Sequence, residues 1–375
     1  MNILISVNAA WNVWNFRKPL VAALIADGHV VTVLAPGDAT VPKLTELGCR
    51  FRHLEMRVKG LNPLQDLGLT FRLRRIFREL QPDIVLSFTI KNNIFGALAA
   101  KLAGIAFVPN VTGLGTAFLS GRALERVART LYRAAFRHLP VVFFQNSDDR
   151  DLFLERGLVT AEQARLLPGS GIDLHRFAPA PYPKDDAAPV FLMIARLLRD
   201  KGVLEYVGAA RRVKSVYPLA RFQLLGATDA QNRSAIDRET VRGWEAEGAI
   251  EYLGTAKDVR PLIAAAHCIV LPSYREGAPR TLIEGAAMAR PLIATDVPGC
   301  RAVVEQGKTG FLCQVRSAES LADACQRFLD LPPGDRAAMG RAGRAKMERE
   351  FDQRIVVEAY RSALQNQPPR SYPAA

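Results

Sequence analysis

No stretch of this 375-residue sequence is apolar for long enough to cross a bilayer. The best candidate, Ile94 to Pro109, is interrupted by Lys101, which excludes a spanning helix there. The opening MNILISV has no basic leader and runs into Asn8, so it reads as a first strand and not as a signal peptide. The five cysteines (Cys49, Cys268, Cys300, Cys313, Cys325) show no CxxC spacing, which predicts unpaired thiols in a reducing cytoplasm. His29, His53, His138, His175 and His267 lack ligand spacing, so no metal site is expected. There is neither a GxSxG elbow nor a P-loop, which removes the commonest hydrolase and nucleotide-triphosphate readings.

What the chain does have is positive charge. The formal net charge is +13, and residues 1–170 carry 21 Lys/Arg against 13 Asp/Glu. Such a surplus favours anionic partners. No nucleic-acid motif is present, which leaves phosphates and an acidic membrane surface.

The length suits two domains. In the first half NILISV, VVTVLA, DIVLSF, FVPNV and VVFFQN read as buried strands, with helices at 16–27, 67–80, 92–103, 122–138 and 148–156. Continuous apolar strands with helices between them imply an α/β fold with parallel sheets covered on both faces. The stretch PGSGIDLHRFAPAPYPKDDAAP is the clearest linker. After it the pattern restarts: PVFLMIAR, helix 200–215, FQLLGA, helix 232–247, IEYLG, helix 258–266, CIVLPS, helix 280–288, PLIATD and FLCQV. The expected division is therefore a first domain over 1–170, a linker over 171–188 and a second domain over 189–352. The tail carries helices at 335–349 and 353–364, and the segment from about 353 to 375 is a candidate to pack back on the first domain. Two such units imply a cleft, with ligands beyond the carboxyl ends of the strands.

Residues 271–299 are the densest in chemistry. Glu276 falls in a turn shaped by Gly277, Ala278 and Pro279, just after the strand CIVLPS. Glu284 lies eight positions on, among Leu282, Ile283, Ala286 and Ala287, where a carboxylate needs a partner. A ribose diol would supply one, and the N–H groups from Arg280 through Thr281 to Leu282 would face a diphosphate. In IARLLRDKG, Arg196 and Lys201 flank a helix start after the first strand of the second half, the pattern of a diphosphate clamp; a solvated basic turn is the plainer alternative.

Four features of the first half suit an acceptor or a membrane. Asn8 to Arg17 reads as a loop bearing Trp11, Trp14, Asn15 and Phe16, either core packing or a platform for sugar or lipid. Lys91, Asn92 and Asn93 follow DIVLSF, either an acceptor-phosphate site or a capped helix start. Thr112, Gly113, Leu114 and Gly115 form a comparable loop whose glycines permit close approach. Arg122, Arg126, Arg129, Arg133 and Arg137 fall on one helical face. That face is either solvated or a docking surface for anionic headgroups or a lipid diphosphate, to whose field Arg72, Arg74, Arg75 and Arg78 add.

The elements ARLLRDKG, the Gly226 turn of LLGATD, YLGTAKDV and LPSYREGAPRTLIEGAAMARPLIATDVPG resemble the retaining nucleotide-sugar glycosyltransferases of the GT-B architecture. TIKNN, NVTGLGTAF, FFQNSDD and LLPGSGIDLHRF are similar to the members that extend polyprenyl-diphosphate-linked oligosaccharides. The resemblance implies two Rossmann-like domains facing across a cleft. It implies a UDP-sugar donor, a UDP-GalNAc-like one favoured, a polyprenyl-diphosphate-linked acceptor and no cofactor or metal. It implies work at the inner face of the plasma membrane, in surface polysaccharide or glycan synthesis. Arg196 and Lys201 then neutralise the leaving diphosphate. Glu284 holds the ribose, and Glu276 with Gly277, Ala278 and Pro279 contacts the transferred sugar. Relatives often carry a histidine where this chain has Thr112 or Gly113, and a glycine-rich loop where it has NAAWNVWNF. Asp149-Arg150-Asp151 spells the metal-binding triplet of another glycosyltransferase architecture, but it opens a helix, where Asp caps. The alternatives are a nucleotide-sugar 2-epimerase and a non-catalytic partner docked on the membrane.

Overall fold

The computed structural model describes residues 1–57, 63–113, 122–184, 188–228 and 234–365. The chain forms two compact units, Met1–Gly171 with Gln353–Ala375, and Ile172–Asp352. The first contains seven strands: β1 (Asn2–Ser6), β2 (Val30–Ala35), β3 (Arg50–His53), β4 (Ile84–Phe88), β5 (Ala106–Val111), β6 (Val142–Phe144) and β7 (Ala164–Leu166). They lie in the order β3-β2-β1-β4-β5-β6-β7. The second contains β8 (Val190–Ile194), β9 (Arg221–Leu225), β10 (Glu251–Tyr252), β11 (Cys268–Leu271), β12 (Leu292–Thr295) and β13 (Gly310–Cys313). Their order is β10-β9-β8-β11-β12-β13. All pairings are parallel.

Strand alternation sends successive side chains to opposite faces, so each apolar run builds two cores at once. Ile3 and Ile5 pack on one face of the first sheet and Leu4 on the other. Phe191 and Met193 divide from Val190 and Leu192 in the same way in the second. In both sheets the first strand of the unit sits at the centre, beside the fourth. That is the doubly wound order, whose direction reverses between those two strands and opens a ligand site at their carboxyl ends.

The sequence reading omits several elements, among them the short helices Val41–Glu46 and Pro298–Val303. β3 is RFRH and β7 is ARL, too polar and short to show as buried runs. The helix Ala318–Asp330 is also unread, although Ser317 caps it by accepting from the Ser320 N–H. The stretch Asn8–Arg17, read as a loop, is corrected: Ala10–Phe16 is helical. The expected linker also differs. Residues from Ile172 onward belong to the second unit, where Ile172 and Phe177 are buried in its core. The apolar residues hidden among the prolines and glycines explain why the segment packs down.

The helix Gln353–Gln365 completes the first unit. Its Tyr360 is fully buried against Phe143 and Phe88, and its hydroxyl accepts from Asn110 Nδ2 at 2.9 Å. Arg361 pairs with Asp27 at 2.8 Å. Tyr360→Phe strands the buried Asn110 amide and is expected to destabilise this unit by about 1–3 kcal/mol. Urea unfolding checks it; an unshifted midpoint refutes it.

Candidate active site

The turn after β8 and the loop after β11 meet at the switch point of the second sheet. A 3-10 turn, Arg199–Lys201, is followed by Gly202 at φ +75°, whose absent Cβ would lie 2.0 Å from the Pro272 carbonyl oxygen. Only glycine permits that conformation and approach. The Tyr274 N–H donates to Asp200 O at 2.9 Å, a second stitch between the two segments. Gly226 serves the neighbouring strand end, where a Cβ would fall 1.7 Å from Ala195 O.

Those stitches bring opposite charges together. Lys201 Nζ donates to Glu276 Oε1 at 2.6 Å, across 75 positions of sequence. Both side chains are largely buried. The Glu276 carbonyl accepts from the Gly299 N–H, which fixes the turn of Glu276, Gly277 and Ala278. The helix Arg280–Ala287 starts immediately after Pro279. The first N–H groups of any helix have no partner within it, so this end suits an anion. Thr281 Oγ1 donates to Ile194 O at 2.9 Å and ties that helix end to β8. Leu282 is fully buried beneath it. Arg196 lies exposed just beyond β8.

Glu284 is buried, and Arg280 Nε donates to its Oε1 at 2.6 Å. Burial pushes its pKa up, opposed by Arg280 and then Arg176, while Asp258 adds to the rise. Tyr274 donates its hydroxyl to Glu205 at 2.7 Å and carries the Arg316 guanidinium over its ring at 4.8 Å. Burial and then Glu205 push its pKa to about 12, so it stays neutral. Sequence reasoning names Glu284 but gives Arg280 only a backbone role; their spacing of four on a helix is the signal that reveals the pair. Tyr274, Glu205 and Arg316 leave no such signal.

The first-unit candidates are more scattered. Trp11 is half exposed and edge-on to Phe16 at 5.4 Å, and Asn15 Nδ2 donates back to Trp11 O. Trp14 packs against the core, with Lys18 over its ring at 4.6 Å. Lys91 Nζ donates to Arg57 O at 3.1 Å, while Asn92 and Asn93 are buried in hydrogen bonds to Ser6 and Asn110. Thr112 and Gly113 follow β5, Gly113 at φ +144°; Leu114 and Gly115 lie outside the described residues. On the helix Arg122–Phe136, Arg126 and Arg129 are exposed, as is Arg137 just after it. With Arg133 they line a groove of about 530 Å³. The Arg133 guanidinium is engaged elsewhere, capping the carbonyls of Arg156 at 3.1 Å and Gly157 at 3.3 Å. The Arg122 side chain lies outside the described residues. At the helix Ser147–Glu155 the cap is Asn146, which accepts from the Asp149 N–H; Asp149 answers by accepting from Asn146 Nδ2. Among the described residues no group of three or more His, Cys, Asp or Glu is placed to hold a metal ion, and no helix is long and apolar enough to cross a membrane. All five cysteines are buried and free.

Two doubly wound units, the second with paired cations and carboxylates at its switch point, define the GT-B class of glycosyltransferases. Solved structures share the fold over 98% of this chain. Anabaena HepE in complex with UDP and glucose matches with a TM-score of 0.78 at 18% identity, over 100% of its own length. Sucrose-phosphate synthase from Thermosynechococcus elongatus matches with a TM-score of 0.79 at 19% identity, again over its full length. A glycosyl transferase 4-like domain matches residues 14–170, and a glycosyl transferases group 1 domain matches residues 188–330. The chain belongs to the glycosyltransferases that those two domains define. It is 28% identical, over 94% of its length and 95% of the relative's, to the N,N'-diacetylbacillosaminyl-diphospho-undecaprenol alpha-1,3-N-acetylgalactosaminyltransferase of Campylobacter jejuni. It is 24% identical, over 72% and 73%, to an Escherichia coli UDP-Gal:alpha-D-GlcNAc-diphosphoundecaprenol alpha-1,3-galactosyltransferase.

Proposed function

We propose that the protein transfers a hexose or N-acetylhexosamine, N-acetylgalactosamine favoured, from a UDP-sugar to a polyprenyl-diphosphate-linked saccharide. The transfer retains the donor's anomeric configuration and uses no metal. The observation that carries this reading is the Lys201–Glu276 pair at the carboxyl ends of β8 and β11, followed directly by the helix that carries Glu284. The two relatives support the acceptor class, since both are named for sugars linked to undecaprenyl diphosphate.

In this reading Lys201, Arg196 and the start of the helix Arg280–Ala287 stabilise charge on the departing diphosphate. Fixed cations act where charge develops and need no reorganisation. Glu284 accepts hydrogen bonds from the ribose hydroxyls. Glu276, one oxygen held by Lys201, offers the other to the sugar. A leaving phosphate oxygen takes the acceptor's proton, so no separate base is required. Lys91, Thr112, Gly113, Trp11 and Asn15 remain acceptor-side candidates on the first unit.

A panel of UDP-sugars tested against polyprenyl-diphosphate-linked sugars, with EDTA present, decides the matter. Mass identifies the product, and the anomeric proton coupling reports its configuration. An inverted anomer removes retention, and loss of turnover in EDTA removes metal independence. An epimer formed from UDP-sugar alone replaces the transferase reading altogether.

The work is also assigned to an anionic membrane surface at its cytoplasmic face, met by Arg126, Arg129 and Arg137. Because Arg133 serves as a cap, the informative pair is Arg126→Glu with Arg129→Glu. Binding to phosphatidylglycerol liposomes at low salt is expected to fall by at least about tenfold. Unchanged co-sedimentation rejects the surface.

A further inference from the structure

Arg280 stands where a cation is poorly placed. It is the first residue of the helix Arg280–Ala287, whose first turn holds no acidic residue. A positive side chain there opposes the helix dipole. The guanidinium is nonetheless spent one turn ahead, on Glu284 Oε1 at 2.6 Å. Glu284 in turn is more than nine-tenths buried, between Leu282, Ile283, Ala286 and Ala287. In such surroundings a carboxylate drifts towards its neutral, protonated form unless a cation holds it charged.

The other charges facing Glu284 are Arg176, from the segment entering the second unit, and Asp258, ahead of the helix Arg260–Ala265. Asp258 is engaged by Arg260, with contacts of 2.6 to 3.1 Å. Arg260 also donates to the Arg176 carbonyl at 3.3 Å, which anchors that segment beside the site. Arg280 is in direct hydrogen-bond contact with Glu284.

We propose that Arg280 is a positioning residue for the nucleotide. It keeps Glu284 ionised and fixes one oxygen, so that the other accepts from the ribose hydroxyls. This rests on the ribose role given to Glu284 above. An ionised carboxylate accepts from a hydroxyl far better than a protonated one. The Arg280 guanidinium therefore sets the pH range over which the nucleotide is held, without itself touching it.

Calorimetric titration with UDP, from about pH 6 to about pH 8.5, tests this on wild type, Arg280→Leu, Arg280→Lys and Glu284→Gln. Each dissociation constant is divided by the wild-type value at the same pH, which cancels the titration of UDP itself. Glu284→Gln is expected to weaken UDP by a constant factor of about ten or more. Arg280→Leu is expected to bind nearly as wild type at the alkaline end. It should weaken by about tenfold towards the acid end, the size of a one-unit displacement in the carboxyl's titration. Arg280→Lys should restore most of the acid-side binding. A loss in Arg280→Leu that is equal at every pH overturns the proposal, since it means direct contact with the diphosphate or a misplaced helix. No loss at any pH also overturns it. If Glu284→Gln binds UDP like wild type, the ribose role fails and the proposal falls with it; a normal Glu284→Gln loss beside a pH-flat Arg280→Leu sinks the proposal alone.

Discussion

Lys201→Ala is expected to lower kcat by about 10²- to 10³-fold, the usual loss for one fixed group that stabilises charge in the transition state. The reasoning is geometric. Lys201 is set by a turn that Gly202 allows and that Tyr274 stitches to the loop after β11. Its ammonium lies within a hydrogen bond of Glu276, in partly buried surroundings. In the proposed reaction a charge fixed there would meet the diphosphate as it departs, and water would not replace it at the same position. The loss should fall chiefly on kcat under saturating UDP-sugar, because the charge it answers grows only as the bond breaks. Lys201→Arg should recover part of the rate, since the charge returns but the reach differs. Wild-type turnover in Lys201→Ala removes the clamp from the mechanism.

The second large effect concerns stability. Arg290 has no exposed surface, and its guanidinium gives hydrogen bonds to six backbone carbonyls. Nε reaches Ile263 at 3.1 Å, Nη1 reaches Ala180, Met288 and Ala289, and Nη2 reaches Pro181 and Ala264 at 2.7 Å each. Burial lowers its pKa to about 10, so it remains charged at neutral pH. Ala180 and Pro181 belong to the proline-rich stretch expected as a linker, and Arg290 is one reason it lies on the second unit instead. Arg344 adds to this by reaching Phe177 O at 2.9 Å. Arg290→Met keeps much of the volume and removes every donor. An unsatisfied buried carbonyl costs about 1–3 kcal/mol, so even with relaxation the loss should reach about 5 kcal/mol. For a unit of this size that is a fall in Tm of about 10–20 °C. A calorimetric scan that moves by less than about 2 °C shows that the carbonyls find other donors.

The parts of the fold legible in the sequence were those where one physical cause dominates. NILISV, DIVLSF and CIVLPS are apolar on both faces because both faces are covered, and each is a strand. RFRH was illegible because an edge strand has little to bury. The helix Ala10–Phe16 was illegible because Ala9 offers no cap and aromatic residues have modest helix propensity. At the site, Glu276, Glu284 and Lys201 could be named from their local patterns. Their partners could not all be. Lys201 meets Glu276 across 75 positions of sequence, and Arg290, in the plain stretch MARPL, gives no hint of the carbonyls it serves. Such contacts are made by chain segments that only the folded sheet brings together.

The slot that Tyr360 fills sets an order of events during synthesis on the ribosome. Residues 1–171 emerge first, yet the strands they contribute keep an open apolar seat until residues 353–365 follow. The intervening Ile172–Asp352 unit is complete by then. The half that leaves the ribosome first is therefore the half that finishes last, and the faces of Phe88 and Phe143 that Tyr360 covers wait for as long as translation of the second unit takes.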